Sequence, residues 1–168
     1  GGDCEVGLES TIVACLGGRV TLLRPGSVSR SQVADVVGAV DDPDASSPRA
    51  PGRQHSHYAP GTLLEIVAPP LLRQAVAAAI ARGERVAVLA RSAAPALADG
   101  MVWRQMPEAP SPYGRALYAA LRGLDAAGAH RILAEAVPHG EDWAAARDRL
   151  TRAAARGETA DDGVVDAT

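Results

Sequence analysis

Two short apolar runs near the start of the chain, at 11–16 and 20–23, flank a pair of glycines at 17–18. Apolar runs joined by two glycines are typical of a β-hairpin, because glycine readily adopts the positive φ angles of tight hairpin turns. The Arg-Pro-Gly sequence at 24–26 ends the second run, since proline cannot donate a hydrogen bond to a strand ladder. The pattern therefore predicts a hairpin over 11–24.

A short helix is predicted directly after the hairpin, over 30–40. Ser29, followed three positions later by Gln32, matches a capping box, in which each side chain caps the other residue's backbone N–H. Three valines of this segment fall on one helical face: Val33, Val36 and Val37. Residues 1–40 are thus expected to form a first unit of two strands and one helix.

Residues 41–61 differ from both flanking regions. They are rich in Pro, Ser, Asp and Gly and have no hydrophobic period, which predicts a linker. Within it, the sequence HSHYAP places three rings close together, those of His55, His57 and Tyr58. Binding residues concentrate in loops, so this segment is either a passive spacer or a part of a site.

From Thr62 onward, apolar runs alternate with amphipathic segments. Predicted strands cover 63–68, 85–90, 101–106 and 131–137, and predicted helices cover 70–83, 111–128 and 141–157. Continuously apolar strands that alternate with helices are typical of a parallel sheet covered by helices. We therefore predict an α/β fold class, with a parallel-sheet domain over 62–168.

The composition narrows the possible chemistry. The 168 residues carry a net charge of -3, contain no Lys, Asn or Phe, and take all 17 positive charges from Arg. The absence of Lys excludes a Schiff-base lysine and a P-loop lysine, whereas the planar fork of Arg suits phosphate and carboxylate. No apolar run approaches the ~20 residues of a membrane span. Dispersed arginines and 3% aromatic residues argue against direct nucleic-acid binding.

The two cysteines, Cys4 and Cys15, are too few for a disulfide framework and favour a reducing, cytoplasmic location. We expect both to be buried thiols, as free cysteines commonly are. The chain does not begin with Met and opens within a predicted strand, which favours a fragment of a longer protein.

The predicted hairpin brings three polar residues to one end. In a tight antiparallel pair the start of one strand faces the end of the next, so Ser10 and Thr11 are expected beside Arg24. Two hydroxyls and a guanidinium would make an anion pocket. Alternatively, the hydroxyls only begin a strand, and the arginine reaches toward solvent.

A second candidate lies in the parallel-sheet domain. Glu135 falls near the carboxyl end of a predicted strand, where such sheets bind ligands. The polar residues that follow, His139, Glu141 and Asp142, form either part of a site or a solvated loop before a helix N-terminus, where acids are favoured.

Several segments in this order resemble a known family, the two-domain threonylcarbamoyl-AMP synthases. They read GGDCEVGLESTIV, LLRPG, APGRQHSHYAP, LYAALRGLDAAGAHRILAEAVP and RDRLTRAAA. In that family a YrdC-like catalytic domain is joined by a linker to a Rossmann-like C-terminal domain. The resemblance implies that 1–40 is the end of the catalytic domain, 41–61 the linker and 62–168 the Rossmann-like domain.

The resemblance also implies a reaction. L-threonine, bicarbonate and ATP would give threonylcarbamoyl-AMP and diphosphate, a product used by the tRNA-modification machinery for N6-threonylcarbamoyladenosine at tRNA position 37. Ser10 and Thr11 would line the substrate and nucleotide pocket, and Arg24 would hold ATP phosphate. His57 and Tyr58 would cross the pocket mouth, and Mg²⁺ would accompany the triphosphate. No residue is assigned as catalytic, and none as a metal ligand.

The chain also departs from the family pattern. The Lys-x-Arg and Ser-x-Asn elements of the catalytic domain cannot be present, since the chain has neither Lys nor Asn, and Asp3, Ala14 and Arg53 replace the usual residues. We therefore predict that the 168 residues are inactive alone. A different class of function stays open, a non-enzymatic α/β domain that binds a small molecule or a protein.

Overall fold

The structure, a computed structural model, describes residues 10–48, 50, 59–95 and 99–155. Its first unit contains the predicted hairpin, with strand β1 at Ile12–Leu16 and strand β2 at Arg19–Arg24 paired antiparallel. The turn glycines have φ angles of 56° and 76°, which explains why both positions favour glycine. The hairpin prediction is confirmed.

Helix α1, Arg30–Val37, follows with the predicted capping box. The Gln32 backbone N–H donates to the Ser29 hydroxyl (3.2 Å), and the Ser29 N–H donates to the Gln32 side-chain oxygen (2.8 Å). Two backbone hydrogen bonds then join Asp41 to β2, through Val20 (2.7 Å) and Leu22 (3.0 Å). The first residue of the predicted linker thus lies directly beside the hairpin.

The second unit is a four-stranded parallel sheet with helices on both faces. Its strands are β3 at Leu63–Val67, β4 at Val86–Ala90, β5 at Met101–Gln105 and β6 at Arg131–Glu135, in the spatial order β3-β6-β4-β5. Its helices are α2 at Leu72–Ala81, α3 at Pro110–Asp125 and α4 at Ala144–Ala154. The predicted α/β class with a parallel sheet is confirmed.

Two apolar cores cover the faces of this sheet. On one face, Leu89 of β4 and Ile132 of β6 pack with α3 and α4. On the other, Val88 and Leu133 pack with α2. Successive residues of β4 point to opposite faces, and all five are buried, which explains why this strand has an uninterrupted apolar sequence.

The starts of α2 and α4 differ most from the prediction. Short 3₁₀ turns, Pro69–Leu71 and Glu141–Trp143, precede α2 and α4, which therefore begin two or three residues later than expected. Tight 3₁₀ turns are common at helix ends, and sequence periodicity does not separate them from a first α-helical turn.

The expectation of buried thiols is wrong for Cys15, which is exposed on β1. A two-stranded hairpin has few neighbours to cover its faces, and three of the five β1 residues are exposed. Cys4 lies outside the described residues. Within the described ranges, no helix combines the length and apolar character needed to cross a membrane.

Candidate functional site

At the arginine end of the hairpin, Arg24 lies beside Ser10, as the sequence predicts. Arg24 ends β2, and its side chain is turned back across the pair, so that Nε (3.1 Å) and Nη2 (2.9 Å) both donate to the Ser10 carbonyl oxygen. The residue is only 8% exposed. Ser10 and Arg24 are therefore brought together, but through the backbone of Ser10.

Thr11 makes a different contact from the one expected. Its hydroxyl donates to the Val28 carbonyl (2.7 Å) and accepts from the Val28 N–H (3.0 Å). A threonine hydroxyl has one hydrogen and two lone pairs, so Thr11 retains only acceptor capacity. It fixes the segment that leads into α1, and binding of substrate by Ser10, Thr11 or Arg24 stays a prediction.

Helix α1 connects this end of the hairpin to the sheet domain. The Ser31 backbone N–H, in the first turn of α1, donates to Oε1 of Glu141 (2.6 Å). The helix has no acid of its own in that turn, and a carboxylate there is favoured by the free N–H groups and the helix dipole. Hydrogen bonds from the Ser31 side chain and backbone hold the pKa of Glu141 below its ordinary value.

The two linker residues predicted for the site, His57 and Tyr58, lie outside the described residues. The described part of the predicted linker forms ion pairs with the first unit: Asp41 with Arg19 of β2 (2.9 Å), and Asp42 with Arg30 of α1 (2.6 Å). These pairs join the first two residues of the predicted linker to the first unit.

A second polar cluster occupies the carboxyl edge of the sheet. Glu135, at the end of β6, is buried and accepts the backbone N–H groups of Arg91 (2.7 Å) and Ser92 (3.1 Å), which follow β4. Arg91 Nη2 lies 3.3 Å from the other Glu135 oxygen. The carboxylate singled out in the sequence is thus the anchor of the β4–β5 loop.

Two aromatic residues complete this cluster. The guanidinium carbon of Arg91 lies 5.4 Å from the centre of the Trp143 ring, a cation–π distance. Tyr113 meets Trp143 edge to face, with centroids 5.2 Å apart. Sequence reasoning did not assign Arg91, Tyr113 or Trp143 to a site. The signal for Arg91 was its position, directly after a buried parallel strand.

A metal-ligand set was not predicted. Among the described residues, no group of three His, Cys, Asp or Glu side chains could hold a metal ion.

Comparison with known proteins decides the family. The family model for the threonylcarbamoyl-AMP synthase C-terminal domain matches residues 28–155. The chain belongs to the threonylcarbamoyl-AMP synthase family. This assignment favours an enzyme family over the alternative of a non-enzymatic binding domain.

Individual relatives agree with the family. Over 71 residues, 39% of this chain, it is 35% identical to the threonylcarbamoyl-AMP synthase of Bacillus subtilis, and the aligned part is 20% of that protein. Over 72 residues it is 31% identical to the threonylcarbamoyl-AMP synthase of Pyrococcus abyssi, which is 39% of this chain and 21% of the relative. The aligned regions thus span about a fifth of the curated relatives.

Solved structures match much more of the chain. The crystal structure of P. abyssi Sua5 complexed with L-threonine superposes with a TM-score of 0.77 at 25% identity, covering 94% of this chain and 48% of that one. A double-alanine variant of P. abyssi Sua5 gives a TM-score of 0.76 at 24% identity, covering 93% and 47%. This chain therefore spans about half of the Sua5 chain in each structure.

Proposed function

We propose that this chain acts as part of a threonylcarbamoyl-AMP synthase. The reaction would convert L-threonine, bicarbonate and ATP into threonylcarbamoyl-AMP, diphosphate and water, and the product would supply the tRNA-modification machinery of the cytoplasm. The observation that carries the proposal is the family match over 28–155, in a chain whose fold superposes on an enzyme crystallised with L-threonine.

In this proposal, the arginine end of the hairpin belongs to the substrate pocket, as the end of a YrdC-like catalytic domain. Arg24 would supply positive charge beside Ser10 for an ATP phosphate, since charge-assisted hydrogen bonds to phosphate are strong. Thr11 would position the chain through Val28, and its remaining lone pair could accept a hydrogen bond from threonine. Its contact in the structure supports the positioning role.

His57 and Tyr58 would belong to a linker segment, part of 41–61, that covers the pocket, with 62–168 as the Rossmann-like domain behind it. A cover is chemically useful because a carbamate and a mixed anhydride both hydrolyse in water. Mg²⁺ would enter with ATP, where it offsets the charge of the phosphates.

Product formation tests the proposal. Threonylcarbamoyl-AMP would be detected by mass spectrometry, and diphosphate by a coupled assay, with ATP, L-threonine and bicarbonate present. We expect product from the protein encoded by the whole reading frame, and none from the 168 residues alone, because they lack the Lys-x-Arg and Ser-x-Asn elements. No product from the whole reading frame would contradict the proposal.

A matched pair of variants tests the hairpin. In the same active protein, Arg24→Gln is expected to lower kcat/KM for ATP at least about tenfold, as expected for a lost charge-assisted contact. Arg104→Gln removes the same charge at an exposed position of β5 in the sheet domain, and is expected to change kcat/KM for ATP less than about twofold. If both variants lowered kcat/KM for ATP equally, the result would contradict a role for Arg24 in the pocket.

A further inference from the structure

Three strands fix the backbone of Arg91 and Ser92 at the carboxyl edge of the sheet. Glu135 of β6 accepts both N–H groups. From β5, the Trp103 indole N–H donates to the Ser92 carbonyl (3.1 Å), and Gln105 Nε2 donates to the Arg91 carbonyl (3.5 Å). A loop held from both sides in this way presents its side chains in a preset geometry.

Two buried polar atoms beside this loop have no hydrogen-bond partner among the described residues, Arg91 Nε and the Tyr113 hydroxyl. Tyr113 is only 1% exposed. Most buried polar groups in folded proteins are paired, and an unpaired one costs the desolvation of that group. Two of them in one cluster require an explanation.

The two atoms belong to neighbouring side chains. Arg91 lies over Trp143, and Tyr113 meets the same ring at its edge. The Tyr113 hydroxyl also feels the charges of Arg91 and Glu135, while burial, the larger effect, raises its pKa. The phenol is therefore protonated at neutral pH and able to donate a hydrogen bond.

Glu135 does not supply the missing acceptor. Its Oε2 already accepts the two backbone N–H groups and lies 3.3 Å from the Ser92 hydroxyl, and its Oε1 faces Arg91 Nη2. The unpaired donors therefore require an acceptor from outside the described residues. The side chain of Arg91 is 23% exposed, whereas Nε and the Tyr113 hydroxyl are buried, so a small solute reaches these two donors only when the outer part of that side chain moves.

We propose that Arg91 and Tyr113 form a binding site for a small oxyanion, a carboxylate or a phosphate group, in the parallel-sheet domain. Arg91 Nε and the Tyr113 hydroxyl donate to its oxygens, Trp143 holds the guanidinium, and Glu135 holds the loop. The location, at the carboxyl ends of adjacent parallel strands, is where such sheets commonly bind ligands. The site shares no residue with the hairpin and does not depend on the proposed reaction.

Titration of the 168-residue chain with sodium phosphate, and separately with sodium acetate, tests this site. Both titrations use constant ionic strength, and ¹H–¹⁵N spectra follow the Nε–H signal of Arg91 and the indole signal of Trp143. We expect a saturable shift of both signals with at least one anion. Saturation by phosphate alone indicates a ligand that bears a phosphate group. Saturation by acetate alone indicates a ligand that bears a carboxylate. Either result supports the site.

Tyr113→Phe removes only the unpaired hydroxyl. We expect it to raise the Kd at least about tenfold, the loss of one hydrogen bond to a charged group, while the free protein stays as stable as the parent or becomes more stable. Tyr118→Phe, the same change elsewhere on α3, is the control and is expected to leave the Kd within about twofold. Absence of a saturable shift with both anions, or an equal Kd in Tyr113→Phe and the parent, would overturn the proposal.

Discussion

The hairpin unit and the parallel-sheet domain are stabilised by different interactions. In the sheet domain, both faces are covered, and the central strands β4 and β6 are almost wholly buried. In the described part of the first 50 residues, only Leu23 and Ala50 are buried apolar residues, and α1 buries none. Hydrogen bonds and ion pairs hold that part instead, at Thr11, Arg24 and Arg30.

The two kinds of interaction have different roles: one stabilises a whole domain, and the other positions individual segments of backbone. Burial of apolar side chains is non-directional and scales with area, so it stabilises the sheet domain as a whole. The contacts of the hairpin unit are directional and individually small, so each one fixes a particular piece of backbone. We therefore expect substitutions in the core of the sheet domain to lower its global stability. Substitutions in the hairpin unit are expected to change only the local structure.

The largest effect is expected in the core. Leu117 of α3 is fully buried, and Leu117→Ala should lower the free energy of unfolding by about 2–5 kcal/mol, because it leaves a cavity as well as losing apolar contact. Leu16→Ala is the matched change in the hairpin, where the side chain is 60% exposed, and should cost less than ~0.5 kcal/mol. Urea unfolding measures both, and similar costs would contradict the comparison.

The core of the sheet domain was also the part that its sequence predicts best. All four strands and three helices from 63 to 154 follow from apolar runs and helical spacing, because burial on two faces leaves a clear pattern. The sites were harder to predict. Glu135 was visible as a carboxylate at a strand end, but its partner Arg91 is 44 positions away, and that pairing depends on the strand order.

The hairpin shows the same limit at shorter range. The hairpin turn places Ser10 beside Arg24, as antiparallel pairing predicts. The partner of Thr11 was not predictable in this way. Val28 lies beyond the Arg-Pro-Gly sequence, and the path of the chain after a proline and a glycine is set by packing rather than by a repeating pattern.

A smaller effect is expected from Thr11→Val, which keeps the shape of the side chain and removes both hydrogen bonds to Val28. The local cost should be about 0.5–1.5 kcal/mol, because water reaches this surface and replaces part of what is lost. Amide hydrogen exchange of Val28 should become up to about tenfold faster. Thr21→Val in β2 is the control, and an unchanged rate at Val28 in Thr11→Val would contradict the structure.

The smallest effect concerns the contact between the two regions. The pKa of Glu141 is lowered by its hydrogen bonds to Ser31, so its carboxylate favours the folded contact above the ordinary glutamate pKa. That contribution is lost as the pH falls through the lowered pKa, where the carboxylate gains a proton and weakens as an acceptor.

The Ser31 amide signal reports this transition directly. In a pH titration by NMR it should move with an apparent pKa below the ordinary glutamate value, and in Glu141→Gln the movement should disappear. Asp142→Asn changes the neighbouring carboxyl of the same turn and should leave the Ser31 titration in place. A Ser31 signal that follows Asp142 instead would place the link between the regions on a different side chain. The directional contact of α1 with the sheet domain would then have to be reassigned.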